Sequence, residues 1–246
     1  TALPISLSIS TNGILLDKYF DLLKECGVTD INISLDTLDK KKFNTITRRD
    51  YFDRVIQNIN KYVESGFNVK INIVLIKKFN DNEIIDFINY TKDKNIAVRF
   101  IEFMPFDGNK WNTDKVVTLA NILDQVHNNF KTHQVIKLDD KKNDTTKSYQ
   151  IEGYKGSFGI ISTVSNPFCD SCNRIRLTAN GTIKNCLFSA SESNLLSPLR
   201  KGENIKPYIL KAAYHKKQVR GGMTTDADFS DKKNYTKNRS MIAIGG

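Results

Sequence analysis

The chain has 246 residues, 39% of them hydrophobic, with a formal net charge of +10 and a sequence isoelectric point near 9.3. That is enough apolar content for one large core or two smaller ones, and it excludes a fibrous protein. No apolar run approaches the roughly 18 residues of a membrane span and no secretory leader is visible, so the expected compartment is the cytosol, with no membrane partner.

Four cysteines in a reducing compartment are metal ligands or core residues rather than disulfides. The positive balance suits an acidic partner such as a nucleotide or nucleic acid, although lysines spread over helix faces give the same total.

Residues 5–12, Ile-Ser-Leu-Ser-Ile-Ser-Thr-Asn, alternate apolar and polar up to Gly13 and predict a strand. Leu15, Leu16, Tyr19, Leu22, Leu23 and Cys26 then recur at helical spacing, with Gly27 as the stop. That stripe places Cys26 in the core; the functional alternative is a zinc ligand. Ile31 to Asp36 form a second strand, and Phe52, Val55, Ile56, Ile59 and Val63 share one face of a second helix. Val69 to Ile76 make a third strand, Ile84 to Ile88 mark a third helix, and Ile96 to Met104 make a fourth strand.

Strand–helix alternation implies parallel pairing through right-handed crossovers. Parallel strands are normally apolar on both faces. Here Ser6, Ser8, Ser10 and Asn12, then Asn32, Ser34 and Asp36, then Lys70 and Asn72 give three successive strands a polar face. A curved sheet resolves the conflict: its apolar side meets the helices and its polar side lines a ligand cavity near the strands' C-terminal ends.

Beyond Pro105 the pattern changes, which places a domain boundary at 105–112. Gly108 to Asp114 read as a loop, Leu119 to Phe130 as a helix, Asp139 to Lys147 as a solvated loop and Ser157 to Val164 as a strand. Asn204 to Lys217 read as a helix, followed by a polar, irregular tail up to Met241. The final Gly245 and Gly246 are an unhindered tip whose ordinary reading is a frayed end.

The densest chemistry lies at Phe168-Cys169-Asp170-Ser171-Cys172-Asn173-Arg174-Ile175-Arg176, with Cys186 downstream. Cys-x-x-Cys converges two thiolates from one turn, and Asn180-Gly181 folds the chain back to deliver a third. A two-residue turn would pair Cys186 with Ile175, so delivery needs a bulge or a longer loop. Three thiolates are therefore available to one centre: a structural zinc usually wants four protein ligands, whereas an iron–sulfur cluster held by three leaves one iron open. Arg174 and Arg176, two apart on a predicted strand, share a face and suit bidentate recognition of an anion.

Ser-Thr-Asn-Gly at 10–13, Asn-Ile-Ser-Leu-Asp at 32–36, Val-Lys-Ile-Asn at 69–72, Arg-Phe-Ile-Glu-Phe-Met at 99–104, the three cysteines with their arginines, and the terminal Gly-Gly together resemble one family. This is the molybdenum cofactor biosynthesis protein A family, the radical S-adenosylmethionine enzymes with GTP 3′,8-cyclase activity.

The resemblance implies an α/β fold: an incomplete (β/α) TIM-like radical SAM barrel over 1–108, and an α+β iron–sulfur and GTP-binding domain over 109–246. It implies a [4Fe–4S] cluster on Cys169, Cys172 and Cys186, and S-adenosylmethionine beside Ser34 and Met104. Ser10, Lys70, Arg174, Arg176 and the Gly245-Gly246 tail would meet GTP, with Arg99 a further phosphate contact. A cyclic pyranopterin monophosphate synthase would take the product; a homodimer is one candidate assembly, which the sequence does not decide.

The family's Cys-x-x-x-Cys-x-x-Cys, which holds the cluster that cleaves S-adenosylmethionine, occurs nowhere in these 246 residues. The expectation is therefore a barrel truncated at its N-terminal side, with an open sheet edge and no radical chemistry on its own. The competing reading is a basic nucleic-acid-binding module with zinc on Cys26, Cys169, Cys172 and Cys186. Its weakness is that aromatic and basic residues do not interleave as a stacking groove requires.

Overall fold

The computed structural model describes residues 5–244. The strand–helix rhythm appears as β1 (Ser8–Thr11), α1 (Leu16–Glu25), β2 (Asp30–Ser34), α2 (Lys40–Thr47), α3 (Phe52–Glu64), β3 (Asn68–Leu75), α4 (Ile84–Tyr90) and β4 (Ile96–Glu102). It continues through α5 (Leu119–Asn129), β5 (Val135–Lys137), β6 (Lys147–Ile151) and β7 (Ser157–Ile161). These strands form one sheet in the order β1-β2-β3-β4-β7-β6-β5, with β1 and β5 at its edges. Pairing is parallel from β1 to β7 and antiparallel from β7 to β5.

Register explains why the sheet has two unlike faces. Ile9, Ile31, Val69 and Ile96 lie in one row across the strands, and Ile33, Ile71, Val98 and Phe158 in the next. Ile73, Phe100 and Ile160 make a third. Val55, Ile59 and Tyr62 of α3 and Phe87 and Ile88 of α4 belong to the same buried core. Each such side chain contributes about 1.5–3 kcal/mol on burial, and a one-residue slip would turn a whole row to the wrong side. The opposite face carries the rows Ser10, Asn32, Lys70 and Ser34, Asn72, Arg99. The polar rows inferred from alternation therefore stand together.

The chain divides into two compact units. Among the described residues the first comprises 5–103, 116–141 and 145–162, and the second 104–115, 142–144 and 163–244. This corrects the single break expected at 105–112. Residues 116–162 return almost entirely to the first unit because β7 pairs with β4, so the strand expected in the second domain lies inside the first unit's sheet.

In the second unit β8 (Arg176–Leu177), β9 (Thr182–Lys184) and β10 (Ser193–Asn194) form a small antiparallel sheet in the order β10-β9-β8. It is followed by α6 (Leu196–Arg200), α7 (Lys206–Tyr214), α8 (Asp226–Ser230) and α9 (Lys232–Tyr235). The polar tail is thus not irregular. Phe229 and Tyr235 meet Trp111 edge-on, and Phe188 stacks on Phe106 and meets Phe229. These rings anchor residues 104–115, which include the expected loop Gly108 to Asp114.

Cys26 is a second correction. It caps the C-terminus of α1 and is exposed, because the buried stripe of that helix narrows to Leu16 and Leu23. Leu15, Tyr19 and Leu22 are exposed as well.

Candidate functional site

In the first unit the polar face is tied together by its own side chains. The Arg99 guanidinium donates to Asn32 Oδ1. Lys70 Nζ donates to Asp30 Oδ1 at 2.8 Å, and that hydrogen bond holds the Asp30 carboxyl below the usual range against a smaller opposing effect of burial. Lys70 thus reaches the polar face already paired, and an anion there must share its ammonium with Asp30. Ser10 sits on β1, one row from Ser34.

Ser34, at the C-terminal end of β2, lines a cavity of about 370 Å³ with Asn12, Asp36, Thr37, Arg49 and Tyr51. The placement at the strand ends is the one expected for a ligand on an α/β sheet. Arg49 and Tyr51 come from the link between α2 and α3, where no periodicity pointed to them. Met104 belongs to the second unit, where its carbonyl accepts from Asn109 Nδ2 at 2.7 Å.

The second unit contains the three thiols. Cys169 opens a 3₁₀ turn, Cys169–Ser171, closed by the Cys172 amide donating to the Cys169 carbonyl at 3.1 Å. Arg176 pairs with Lys184 and Leu177 with Ile183. The Thr178 amide donates to Thr182 O and the Gly181 amide to Thr178 O, both at 2.9 Å. The hairpin loop is therefore Ala179-Asn180-Gly181, with Gly181 at φ +75° as three-residue loops require. This is one residue longer than the strict turn. Continued two positions past β9, the register sets Cys186 opposite Arg174 rather than Ile175.

Buried Lys184 anchors the segment that leaves β9. Its ammonium donates to Ser189 O and, at 2.7 Å, to Asn238 Oδ1, with Glu192 4.0 Å away. Glu192 in turn receives Arg239 through two hydrogen bonds, at 2.9 and 2.7 Å. The loop carrying Cys186 is thereby pinned at both ends.

All three thiols are free and partly buried. Burial raises the Cys172 thiol, but the Arg174 amide, the Lys216 ammonium and the Arg174 guanidinium outweigh it and hold the group below its ordinary range. Burial pushes the Cys186 thiol up; the charges of Cys169 and Cys172 add to the rise, while the Phe188 amide and Lys216 oppose it. The Arg220 amide donates to Cys169 Sγ at 3.4 Å and Lys216 Nζ to Cys172 Sγ at 3.3 Å. Two of the three sulfurs thus accept from N–H donors. Among the described residues no group of three or more His, Cys, Asp or Glu side chains that could hold a metal ion is found. By chemistry alone, three thiol donors are of the type a soft metal centre takes.

Arg174 and Arg176 do not share a strand face, because β8 begins only at Arg176. Arg174 donates to Asn143 O at 2.9 Å and lies over the Phe168 ring; Arg176 donates to Ile244 O at 2.9 Å. Gly245 and Gly246 lie outside the described residues, though Ile244 ties the segment before them to Arg176. Sequence reasoning missed Lys216, Lys184 and the Arg220 amide. No motif marks them.

Residues 96–221 match the Molybdenum Cofactor Synthesis C family model and residues 2–91 that of the Radical SAM superfamily. The chain is 45% identical to the protein named GTP 3′,8-cyclase, mitochondrial, of Arabidopsis thaliana, over 98% of this chain and 60% of that protein. It is 41% identical to molybdenum cofactor biosynthesis protein 1 of Dictyostelium discoideum, over 97% of this chain but 38% of that one. A protein named GTP 3′,8-cyclase from Alkaliphilus oremlandii is 36% identical over 98% of this chain and 72% of its own length. The chain therefore spans less than two thirds of the eukaryotic relatives it matches. With one family model covering half its residues and a bacterial relative matched over most of its length, the chain belongs to the GTP 3′,8-cyclase family of molybdenum cofactor biosynthesis, within the radical SAM superfamily.

Proposed function

We propose that this chain carries the nucleotide-binding and second-cluster part of a GTP 3′,8-cyclase. Cys169, Cys172 and Cys186 hold a [4Fe–4S] cluster which, when bound, offers one iron without a protein ligand to the purine. Arg174, beside Cys172, and Arg176, beside the terminal segment, bind GTP; so do Ser10, Lys70 and Arg99 on the polar sheet face, and Gly245-Gly246 at the tip. Ser34 and Met104 contact S-adenosylmethionine. The first unit serves as an incomplete barrel, and the product passes to a cyclic pyranopterin monophosphate synthase. The observation that carries the reading is three free, partly buried thiols, two of them in one turn that receives N–H donors from Lys216 and Arg220, with Arg174 close behind Cys172.

The zinc-module reading finds no support: Cys26, its fourth ligand, is exposed at a helix end. These 246 residues contain no Cys-x-x-x-Cys-x-x-Cys, so by themselves they do not cleave S-adenosylmethionine.

The test is calorimetry with GTP on anaerobically iron-loaded protein. Wild type binds, and Arg174→Ala or Arg176→Ala weakens binding about ten- to a hundredfold, the scale of one charge-assisted hydrogen bond. In the same samples, no 5′-deoxyadenosine forms from S-adenosylmethionine under reduction. GTP binding that ignores both substitutions would refute the assignment.

A further inference from the structure

Lys216 follows the C-terminus of α7, where a cation is ordinarily left in solvent beside the last carbonyls. Its side chain instead turns to the cysteine turn and directs all three N–H donors there: to Cys172 O at 2.8 Å, Cys172 Sγ at 3.3 Å and Arg174 O at 3.0 Å. With every donor taken, this ammonium has none left for a nucleotide, which separates it from the arginines nearby. Two carbonyl contacts would suffice for a lysine that merely ties down a turn; the third goes to a sulfur. Cys169 receives the backbone amide of Arg220 from the same 216–222 segment. Gly221 of that segment presses so closely on the Phe188 and Ser189 backbone that a Cβ there would lie 2.9 Å from it. One short segment therefore bears on both cysteines of the turn and on the chain just after the third.

We infer that Lys216 is a positioning residue for the three-thiol centre, holding the Cys172–Arg174 turn in place and setting, by its charge, how readily the bound cluster accepts an electron. The inference rests on the proposed cluster of Cys169, Cys172 and Cys186. A positive charge next to a thiolate ligand favours the more negative, reduced form, so removing it disfavours the one-electron reduction.

The experiment is a mediated redox titration of iron-loaded wild type, Lys216→Met, Lys216→Arg and Lys217→Met, followed by visible absorption and electron paramagnetic resonance, with iron counted per chain. Lys217 is exposed and serves as the charge-matched control. At the wild-type midpoint potential, K216M raises the oxidised-to-reduced ratio about fourfold, as expected for one unit charge at close range in a water-like dielectric. K216R and K217M stay near wild type. If K216M loses its iron while K216R keeps both iron and potential, the need for a cation at this position stands. If K216M loads fully with an unmoved midpoint, or if K216M and K216R both fail to load, the inference is overturned. A wild-type chain that takes up no iron overturns the proposed cluster itself.

Discussion

Asp36 carries a charge that its surroundings oppose. Burial raises its carboxyl above the ordinary value of 3.8, and the hydrogen bond from the Val74 amide, 2.8 Å long, only partly offsets this. A carboxyl whose folded pKa is raised holds its proton more tightly folded than unfolded. Its stabilising contribution is complete below the unfolded value and is lost as pH rises through the folded one. Asp36→Asn keeps the acceptor for Val74 without the charge. The variant should be more stable than wild type to urea at pH 7, with the advantage vanishing toward about pH 3–4; an equal gain at both pH values would show that the charge is not the cause. The residue types at the thiol centre were legible because Cys-x-x-Cys and Arg-x-Arg are dense local patterns. Lys216 was not legible, because one lysine in a chain with 37 basic residues carries no local signal.

Among the elements, the β8–β9 hairpin decides where the third thiol lies. Asn180-Gly181 announced a reversal, and the ladder confirms the need for a longer loop by placing three residues between Thr178 and Thr182. Gly181 is required twice over, since its φ of +75° disfavours side chains and a Cβ there would stand 2.6 Å from Leu196 Cβ. Gly181→Ala should cost about 1–3 kcal/mol in chemical denaturation and reduce iron retained per chain, because the register that carries Cys186 depends on this loop. A variant with normal stability and full iron content would show that the hairpin does not set the site. Arg174 and Arg176 illustrate the limit of reading elements locally. Period-two spacing implies a common face only if both residues lie in the strand, and the strand starts at the second.

For the whole molecule, the two units are built from different elements. The first is built on a seven-stranded sheet with its covering helices, the second on a three-stranded sheet, short helices and a cluster of rings. Ligand binding stabilises what it touches. Iron loading should therefore slow amide hydrogen exchange in residues 163–244 by about tenfold or more while leaving β2, β3 and β4 unchanged. Equal protection across both units, or none, would count against a cluster seated on the three cysteines. No described helix is long and apolar enough to cross a membrane.

By itself the sequence determined which residues face which side of the first unit's strands, because alternation at period two is a property of neighbours along the chain. It likewise supplied the sulfur donors and the guanidinium groups beside them. Only the tertiary structure decided that β7 joins the sheet at β4, that Cys26 lies exposed, that aromatic rings draw residues 104–115 into the second unit, and that Lys216 reaches a cysteine 44 positions away. The physical reason is common to all four: periodicity fixes orientation about a local axis, whereas partnership between distant segments depends on packing and hydrogen bonds that form only when the whole chain closes on itself.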